Sequence, residues 1–128
     1  MNFLTISENI QLLFSLHSIE LTQKTKQMIN QLYEKNQLLT FPEHASLGMN
    51  IKIGCSLLFE ENHWDLVILD ETFSSVDEFS RKILLKQCEK LTYHGCCVII
   101  ISHNHLENEC DFLFQKLYLS KESGLINV

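Results

Sequence analysis

A short apolar run that ends in two adjacent carboxylates constrains the fold of this chain more than any other stretch. Residues 65–77 are Asp-Leu-Val-Ile-Leu-Asp-Glu-Thr-Phe-Ser-Ser-Val-Asp, so four apolar residues precede Asp70 and Glu71. An apolar run of this length, bounded by polar residues, is typical of a strand buried on both faces in a parallel sheet. Ligands of open α/β sheets bind beyond the carboxyl ends of the strands. We therefore expect Asp70 and Glu71 at a ligand-binding edge.

The acidic pair by itself is compatible with two interpretations. One carboxylate can hold Mg²⁺ while its neighbour orients a water molecule. Alternatively, a buried strand simply ends in a solvated acidic turn. The sequence around the pair does not decide between these two interpretations.

A second apolar run places a histidine beside the acidic pair. Residues 96–101, Cys-Cys-Val-Ile-Ile-Ile, predict a strand rich in β-branched residues, which is followed by Ser102 and His103. Residues 78–93 between the two strands predict a helix whose inward positions are Phe79, Ile83, Leu84 and Leu91. A strand, a helix and a strand in this order predict a parallel βαβ unit. His103 is then expected at the same sheet edge as Asp70 and Glu71.

The remaining segments are predicted to be helical before the acidic pair and mixed after it. Helices are predicted over residues 3–18 and 22–35 and from Ser46 onward. Ser46 is a favourable N-cap, and the N–H groups of its helix could receive a phosphate or could simply be capped. After the second strand we predict a short helix over 106–110, a strand over 112–119 and a return strand over 125–128.

Composition limits the class of protein. A chain of 128 residues forms one domain, and 45% hydrophobic with 20% charged residues is ordinary for a globular protein. A net charge of −6 without a basic stripe argues against nucleic-acid binding. The longest apolar runs are too short to span a membrane, and no secretory signal is apparent, so we expect a cytoplasmic protein. Five cysteines without a CxxC pair predict buried free thiols in a reducing compartment.

The order of these motifs resembles the C-terminal half of an ATP-binding-cassette (ABC) ATPase domain. Residues 66–71, Leu-Val-Ile-Leu-Asp-Glu, are similar to the Walker B strand with its catalytic glutamate. Residues 74–77, Ser-Ser-Val-Asp, stand where that family has its D-loop, and His103 resembles the switch histidine. The resemblance extends upstream, because residues 45–49, Ala-Ser-Leu-Gly-Met, occupy the place of the Leu-Ser-Gly-Gly-Gln signature.

The signature departs from the family pattern. Ser46 and Gly48 are retained, whereas Leu47 replaces a glycine and Met49 replaces the glutamine. A glycine lets the backbone approach a phosphate closely, and a leucine side chain hinders that approach. The resemblance nevertheless implies a partial P-loop NTPase (ABC ATPase-like) α/β fold. Residues 1–60 would form a helical subdomain with a degenerate signature, and residues 61–128 the Walker B, D-loop and switch-histidine part of the same domain.

The resemblance also implies roles for individual residues. Glu71 would polarise the attacking water, and His103 would contact the γ-phosphate. Asp70 would hold Mg²⁺. The positions implied to bind nucleotide are Ser46, Gly48 and Asp77.

The Walker A and Q-loop motifs of the family are missing from this sequence. No G-x-x-x-x-G-K-[ST] occurs, and the four glycines are scattered, so nothing in the sequence provides the phosphate cradle of a P-loop. The first hypothesis is therefore a split ABC-type ATPase with a role in transport. In this hypothesis ATP and Mg²⁺ are used only with a P-loop-containing partner or homo-oligomer, and a membrane transporter subunit is a further partner. That partner would place the protein peripherally at a membrane. The alternatives are a non-catalytic interaction or regulatory module and a truncated product or fragment.

Overall fold

A computed structural model of the chain describes residues 1–111, 114–122 and 124–127. In these residues four α-helices precede or join two short sheets. The helices are α1 (Ile6–Leu16), α2 (Gln23–Asn30), α3 (Leu47–Cys55) and α4 (Glu78–Tyr93). The strands are β1 (Leu66–Asp70), β2 (Cys97–Ile101), β3 (Leu117–Ser120) and β4 (Gly124–Asn127).

Polar caps define where the first three helices begin. The Thr5 hydroxyl accepts a hydrogen bond from the backbone N–H of Glu8, whose carboxylate accepts one from the Thr5 N–H, which makes a reciprocal capping box at α1. Thr22 caps α2 and Ser46 caps α3 through their hydroxyl oxygens. The helix expected over 22–35 is shorter than predicted, because α2 ends at Asn30.

The strands and the helix of the predicted βαβ unit are present. β1 and β2 pair in parallel from Leu66 opposite Cys97 to Asp70 opposite Ile101, and α4 connects them. This register brings the carboxyl ends of both strands to one edge, as the sequence predicts. The α/β fold class inferred from the sequence is confirmed.

The expectation that both faces of the strands are buried is wrong. One face, with Val67, Leu69 and Ile100, packs on the helical side of the molecule. The opposite face is open to solvent, and side chains there expose about half of their surface: Leu66 52%, Ile68 57%, Ile99 44% and Ile101 47%. We call these four residues the open sheet face. Its residues are apolar, as is typical of central strands. The described part of this chain, however, provides nothing to cover them.

The core lies between the helices and the packed face of the sheet. The most deeply buried large side chains come from α1 and α4: Ile6, Phe14, Leu84, Leu85 and Leu91. The prediction that Phe79 faces inward is wrong, since its ring is exposed. The inward stripe of α4 runs through Leu84, Cys88 and Leu91 instead, at the i, i+4 and i+7 spacing of a helix face.

Three of the cysteines lie in the core as free thiols, as predicted: Cys55, Cys88 and Cys96. Cys97 is exposed, contrary to the expectation of burial, because it lies on the open side of β2. Adjacent residues of a strand point to opposite faces. Cys96 and Cys97 therefore have different environments.

The C-terminal part is irregular apart from a hairpin. A 3₁₀ turn over Leu106–Glu109 replaces the short helix predicted there. β3 and β4 pair antiparallel, from Leu117 opposite Asn127 to Ser120 opposite Gly124. The strand predicted over 112–119 starts later, at Leu117, and its first two positions lie outside the described residues, as does position 128. Among the residues described, no helix has the length and apolarity to cross a membrane.

Candidate functional site

The structure brings Glu71 and His103 into direct contact. Glu71 follows β1 and His103 follows β2 by two residues, and the Glu71 Oε1 atom lies 3.1 Å from the His103 Nε2 atom. The imidazole is almost entirely exposed, at 94% of its side-chain surface. A carboxylate and an imidazole at this separation can share a proton or orient one water molecule between them and a substrate. The contact lies where parallel strands end, which is the usual ligand edge of an α/β sheet.

The backbone at Glu71 is held in an uncommon conformation. Its φ and ψ are 52° and 24°, in the left-handed region, and among the described residues Ser18 is the other non-glycine with a positive φ. Three hydrogen bonds hold Glu71 there: its N–H donates to Ile101 O at 2.9 Å, and its carbonyl accepts from Ser74 Oγ at 3.0 Å and from the Ser74 N–H at 3.5 Å. A left-handed residue with a side chain costs about 1 kcal/mol. Such positions cluster at functional sites, so the conformation favours a role for this carboxylate.

Asp70 ends β1 beside this contact. It lies opposite Ile101 in the strand register, and its side chain is exposed. Among the described residues no three His, Cys, Asp or Glu side chains cluster to form a metal site of their own. Mg²⁺, however, is commonly bound through one or two carboxylates together with substrate phosphates. Asp70, with Glu71 next to it, fits that mode of binding.

Gly48 packs against the turn that follows Glu71. A Cβ atom at Gly48 would lie 2.3 Å from the carbonyl oxygen of Ser75, far inside van der Waals contact. Ser46 caps the same helix, because its Oγ accepts a hydrogen bond from the Met49 N–H at 3.1 Å. Both predicted nucleotide-binding residues of the signature segment therefore have structural tasks within this chain. Leu47 between them is exposed.

Asp77 has a partner that the sequence does not suggest. Its Oδ1 atom lies 2.5 Å from Lys52 Nζ, and its Oδ2 accepts a hydrogen bond from the Ser80 N–H at 2.9 Å, which caps α4. Partial burial raises the pKa of Asp77, but the hydrogen bonds from Lys52 and Ser80 outweigh this effect and lower the pKa to about 2. The carboxylate is therefore ionised at neutral pH and committed to these two donors.

Lys52 is the residue of this region that sequence reasoning missed. Its side chain is only 7% exposed, and Nζ also donates to Leu32 O at 2.8 Å and lies 5.6 Å from the centroid of the Tyr33 ring. The sequence contains one indication of this burial: Lys52 follows Gly48 by four residues and so lies on the same helix face. A charged residue on a face that packs against a turn needs a counter-ion.

The six predicted site residues thus fall into two groups. Glu71 and His103 are in contact, and Asp70 adjoins them at the sheet edge. The other three support the turn over Thr72–Ser75 and the helices next to it: Ser46, Gly48 and Asp77.

Comparison with known proteins supports the fold. No family model matches the sequence, and no curated protein is significantly similar to it. A solved structure described as the ATP-binding subunit of an ABC transporter is similar with a TM-score of 0.66 and 23% sequence identity. The similarity covers 87% of this chain and 48% of that chain, so the present chain spans about half the length of the solved one.

These observations define the fold class. The chain has a partial P-loop NTPase fold that is similar to the ABC ATPase fold, with helices α1 to α3 before a parallel strand pair that α4 connects. Similarity at this level of identity concerns the fold.

Proposed function

We propose that this chain contributes the Walker B, D-loop and switch-histidine half of an ATP-hydrolysing site to an ABC-type assembly. The observation that carries the proposal is the 3.1 Å contact between Glu71 Oε1 and His103 Nε2 at the carboxyl ends of paired parallel strands. A solvated strand end would not need a glutamate in a left-handed conformation in contact with a histidine from the neighbouring strand.

Each residue then has a defined task. Glu71 accepts a hydrogen bond from the attacking water, and His103 orients the Glu71 carboxylate and donates toward the transferred phosphoryl group. Asp70 would hold Mg²⁺, which neutralises developing phosphate charge when bound. Asp77 and Gly48 keep the connecting turn in place through Lys52 and Ser75. Ser46, which is exposed at the N-terminus of α3, would face the nucleotide of an opposing subunit, whereas Gly48 is buried against Ser75.

A second polypeptide would supply the P-loop and cover the open sheet face. The four apolar side chains of that face, Leu66, Ile68, Ile99 and Ile101, expose a continuous β-branched and leucine surface beside Asp70. Exposed apolar patches of this kind mark interaction surfaces. The half-length match to an ATP-binding subunit is in accord with a missing complement. A transport role would follow from a membrane subunit in the same assembly.

The proposal is tested by ATP turnover with candidate P-loop partners. The isolated chain should neither hydrolyse ATP nor bind Mg-ATP tightly, and addition of the correct partner should produce turnover. Glu71→Gln should then lower kcat by at least about 10²-fold while the complex still assembles. Glu78→Gln is a matched control, because Glu78 forms only an exposed ion pair with Lys82. Unchanged turnover in Glu71→Gln, or tight Mg-ATP binding by the isolated chain, would contradict the proposal.

A second function is supported by the signature segment. Gly48 is in contact with the Ser75 carbonyl and Asp77 is engaged by Lys52, while an exposed leucine stands between Ser46 and Gly48. These features favour a non-catalytic module that retains the fold to bind a partner protein. In that case a partner would bind the open sheet face with equal affinity whether residue 71 is Glu or Gln, and no pairing would hydrolyse ATP.

A further inference from the structure

A single arginine connects the two segments that carry the Glu71 and His103 side chains. Arg81, in the first turns of α4, donates from Nη1 to the carbonyl oxygen of Val76 at 2.7 Å. It also donates from Nε to Glu109 Oε2 at 2.9 Å and from Nη2 to Glu109 Oε1 at 2.6 Å. The side chains of Arg81 and Glu109 are only 23% and 21% exposed.

The two partners of Arg81 belong to different arms of the site. Val76 ends the turn that begins at Glu71, and Glu109 ends the 3₁₀ turn that follows His103. We propose that Arg81 is a positioning residue, which holds these two arms together and thereby keeps His103 within reach of the Glu71 carboxylate. This inference rests on the proposed function for its catalytic meaning, but the positioning itself is a property of the isolated chain.

The geometry gives Arg81 the means to act in this way. Two parallel bonds from a guanidinium to a carboxylate fix both distance and orientation, and charged partners make such bonds about twice as strong as neutral ones. The hydrogen bonds from Arg81 lower the pKa of Glu109 below its ordinary value, so the carboxylate stays ionised at neutral pH.

His103 itself has little else to hold it. Its imidazole is 94% exposed, and the local backbone bonds near it are short-range ones, from Asn104 N to Ser102 Oγ and from Leu106 N to Asn104 O. A histidine on such a segment keeps its place only if the segment is anchored further along. Two contacts supply that anchor: the Leu106 side chain is buried in the core, and the Glu109 carboxylate is bound by Arg81.

The adjacent residue provides a matched control. Lys82 forms an ion pair with Glu78 one turn earlier on the same helix, but both side chains are more than half exposed and neither touches an arm of the site. Arg81→Lys keeps the charge and the helix propensity but removes the fork that binds Glu109 twice. Lys82→Gln removes a charge from the same turn of α4. It weakens only a Coulomb interaction with Glu109 and leaves the hydrogen bonds of Arg81 to Val76 and Glu109 in place.

The first test uses the isolated, isotope-labelled chain. In the wild-type protein and in Lys82→Gln we expect nuclear Overhauser contacts between the His103 ring and the Glu71 side chain. In Arg81→Lys and Glu109→Gln these contacts should be lost, and amide exchange of Leu106 and Asn108 should accelerate about tenfold relative to the amides of α1. Retained contacts, equal acceleration throughout the chain, or absence of the contacts in the wild type would overturn the inference.

The second test separates this inference from the proposed function. With a P-loop partner that restores turnover, Arg81→Lys should lower kcat about tenfold with KM within about twofold of the wild type, because substrate binding is left intact. Turnover that depends on Glu71 but not on Arg81 would overturn the positioning role and leave the proposed function standing. If no partner restores turnover, the contacts and exchange rates of the isolated chain still decide whether Arg81 positions His103.

Discussion

Lys52 shows how a single charge organises the region behind the candidate site. An ammonium group in the interior is costly unless it is paired and fully hydrogen-bonded. Lys52 meets this requirement with the Leu32 carbonyl on one side and the Asp77 carboxylate on the other. Because Asp77 also caps α4, the pair sets where the helix after the candidate site begins.

Neutralising Asp77 should destabilise the chain at neutral pH. Asp77→Asn keeps an N-cap oxygen for Ser80 but leaves the Lys52 ammonium without its counter-ion. We expect the free energy of unfolding to fall by about 1–3 kcal/mol, less than for a fully buried pair, since the Asp77 carboxylate is half exposed. Urea denaturation at pH 7 measures the loss. An unchanged urea midpoint would show that water replaces the Asp77 carboxylate as the partner of the Lys52 ammonium.

The same pair predicts an acid dependence. The pKa of Asp77 is about 2 in the folded protein, against an ordinary value of 3.8. A lowered pKa stabilises the folded state above the unfolded value and loses that effect as the pH falls through the folded value. The stability difference between the wild type and Asp77→Asn should therefore shrink between about pH 4 and pH 2. Urea titrations across that range measure it, and a constant difference would contradict the assignment.

The thiols should differ sharply in reactivity. Burial raises the pKa of the Cys88 thiol to about 12 and that of Cys55 to about 11, and the thiolate is the reactive form. Maleimide labelling of the native chain, followed by mass spectrometry, should modify exposed Cys97 first and leave Cys55 and Cys88 unmodified until the chain unfolds. Cys97→Ser should remove the fast-reacting site. Equal rates at Cys88 and Cys97 would contradict the described packing.

At the scale of elements, the contact between α3 and the turn after β1 is possible only because Gly48 has no side chain. Gly48→Ala would place a Cβ atom 2.3 Å from the Ser75 carbonyl oxygen, so helix and turn must move apart. Backbone shifts of this kind cost about 1–3 kcal/mol. Thermal denaturation of the variant should show the loss, together with faster exchange in the turn over Thr72–Ser75.

Gly54 is the matched control for this prediction. It lies in the same helix, and no atom would come within 4 Å of a Cβ added there. Gly54→Ala should therefore stabilise the chain by about 0.5–1 kcal/mol, as is usual for a glycine replaced within a helix. If Gly48→Ala and Gly54→Ala changed the stability of the chain equally, helix propensity alone would explain the effect at Gly48.

The sequence predicts elements better than it predicts their surroundings. Apolar periodicity and cap residues place the four helices and the strand pair, and motif order places His103 beside Glu71, because these depend on local pattern and on parallel pairing. The contacts of Lys52 and Arg81 join residues 25 and 28 positions apart, and no local pattern encodes them. Phe79 is wrongly predicted to be inward, since periodicity defines an apolar stripe but not its edges.

For the whole molecule, the main unusual feature is the open sheet face, an apolar surface that is exposed to solvent. Ile99 and Ile100 are neighbours in β2 on opposite faces, one open and one packed. Ile99→Thr should change the free energy of unfolding by less than about 0.5 kcal/mol, reduce the binding of a hydrophobic dye and weaken binding to a P-loop partner. Ile100→Thr should cost about 1–3 kcal/mol, since it places a hydroxyl against the core. Equal stability losses in the two variants would mean that both faces are covered.

The contacts of Lys52 also affect how the chain folds during its synthesis. Synthesis proceeds from the N-terminus, so α1, α2 and α3 emerge before Asp77 and before the α4 residues that fill the core, Leu84, Leu85 and Leu91. Until then the Lys52 ammonium lacks its Asp77 partner, and α1 and α3 can pack on each other but not on the α4 side chains that complete the core. We expect the nascent helical half to remain unfolded, and exposed to chaperones, until α4 has been made.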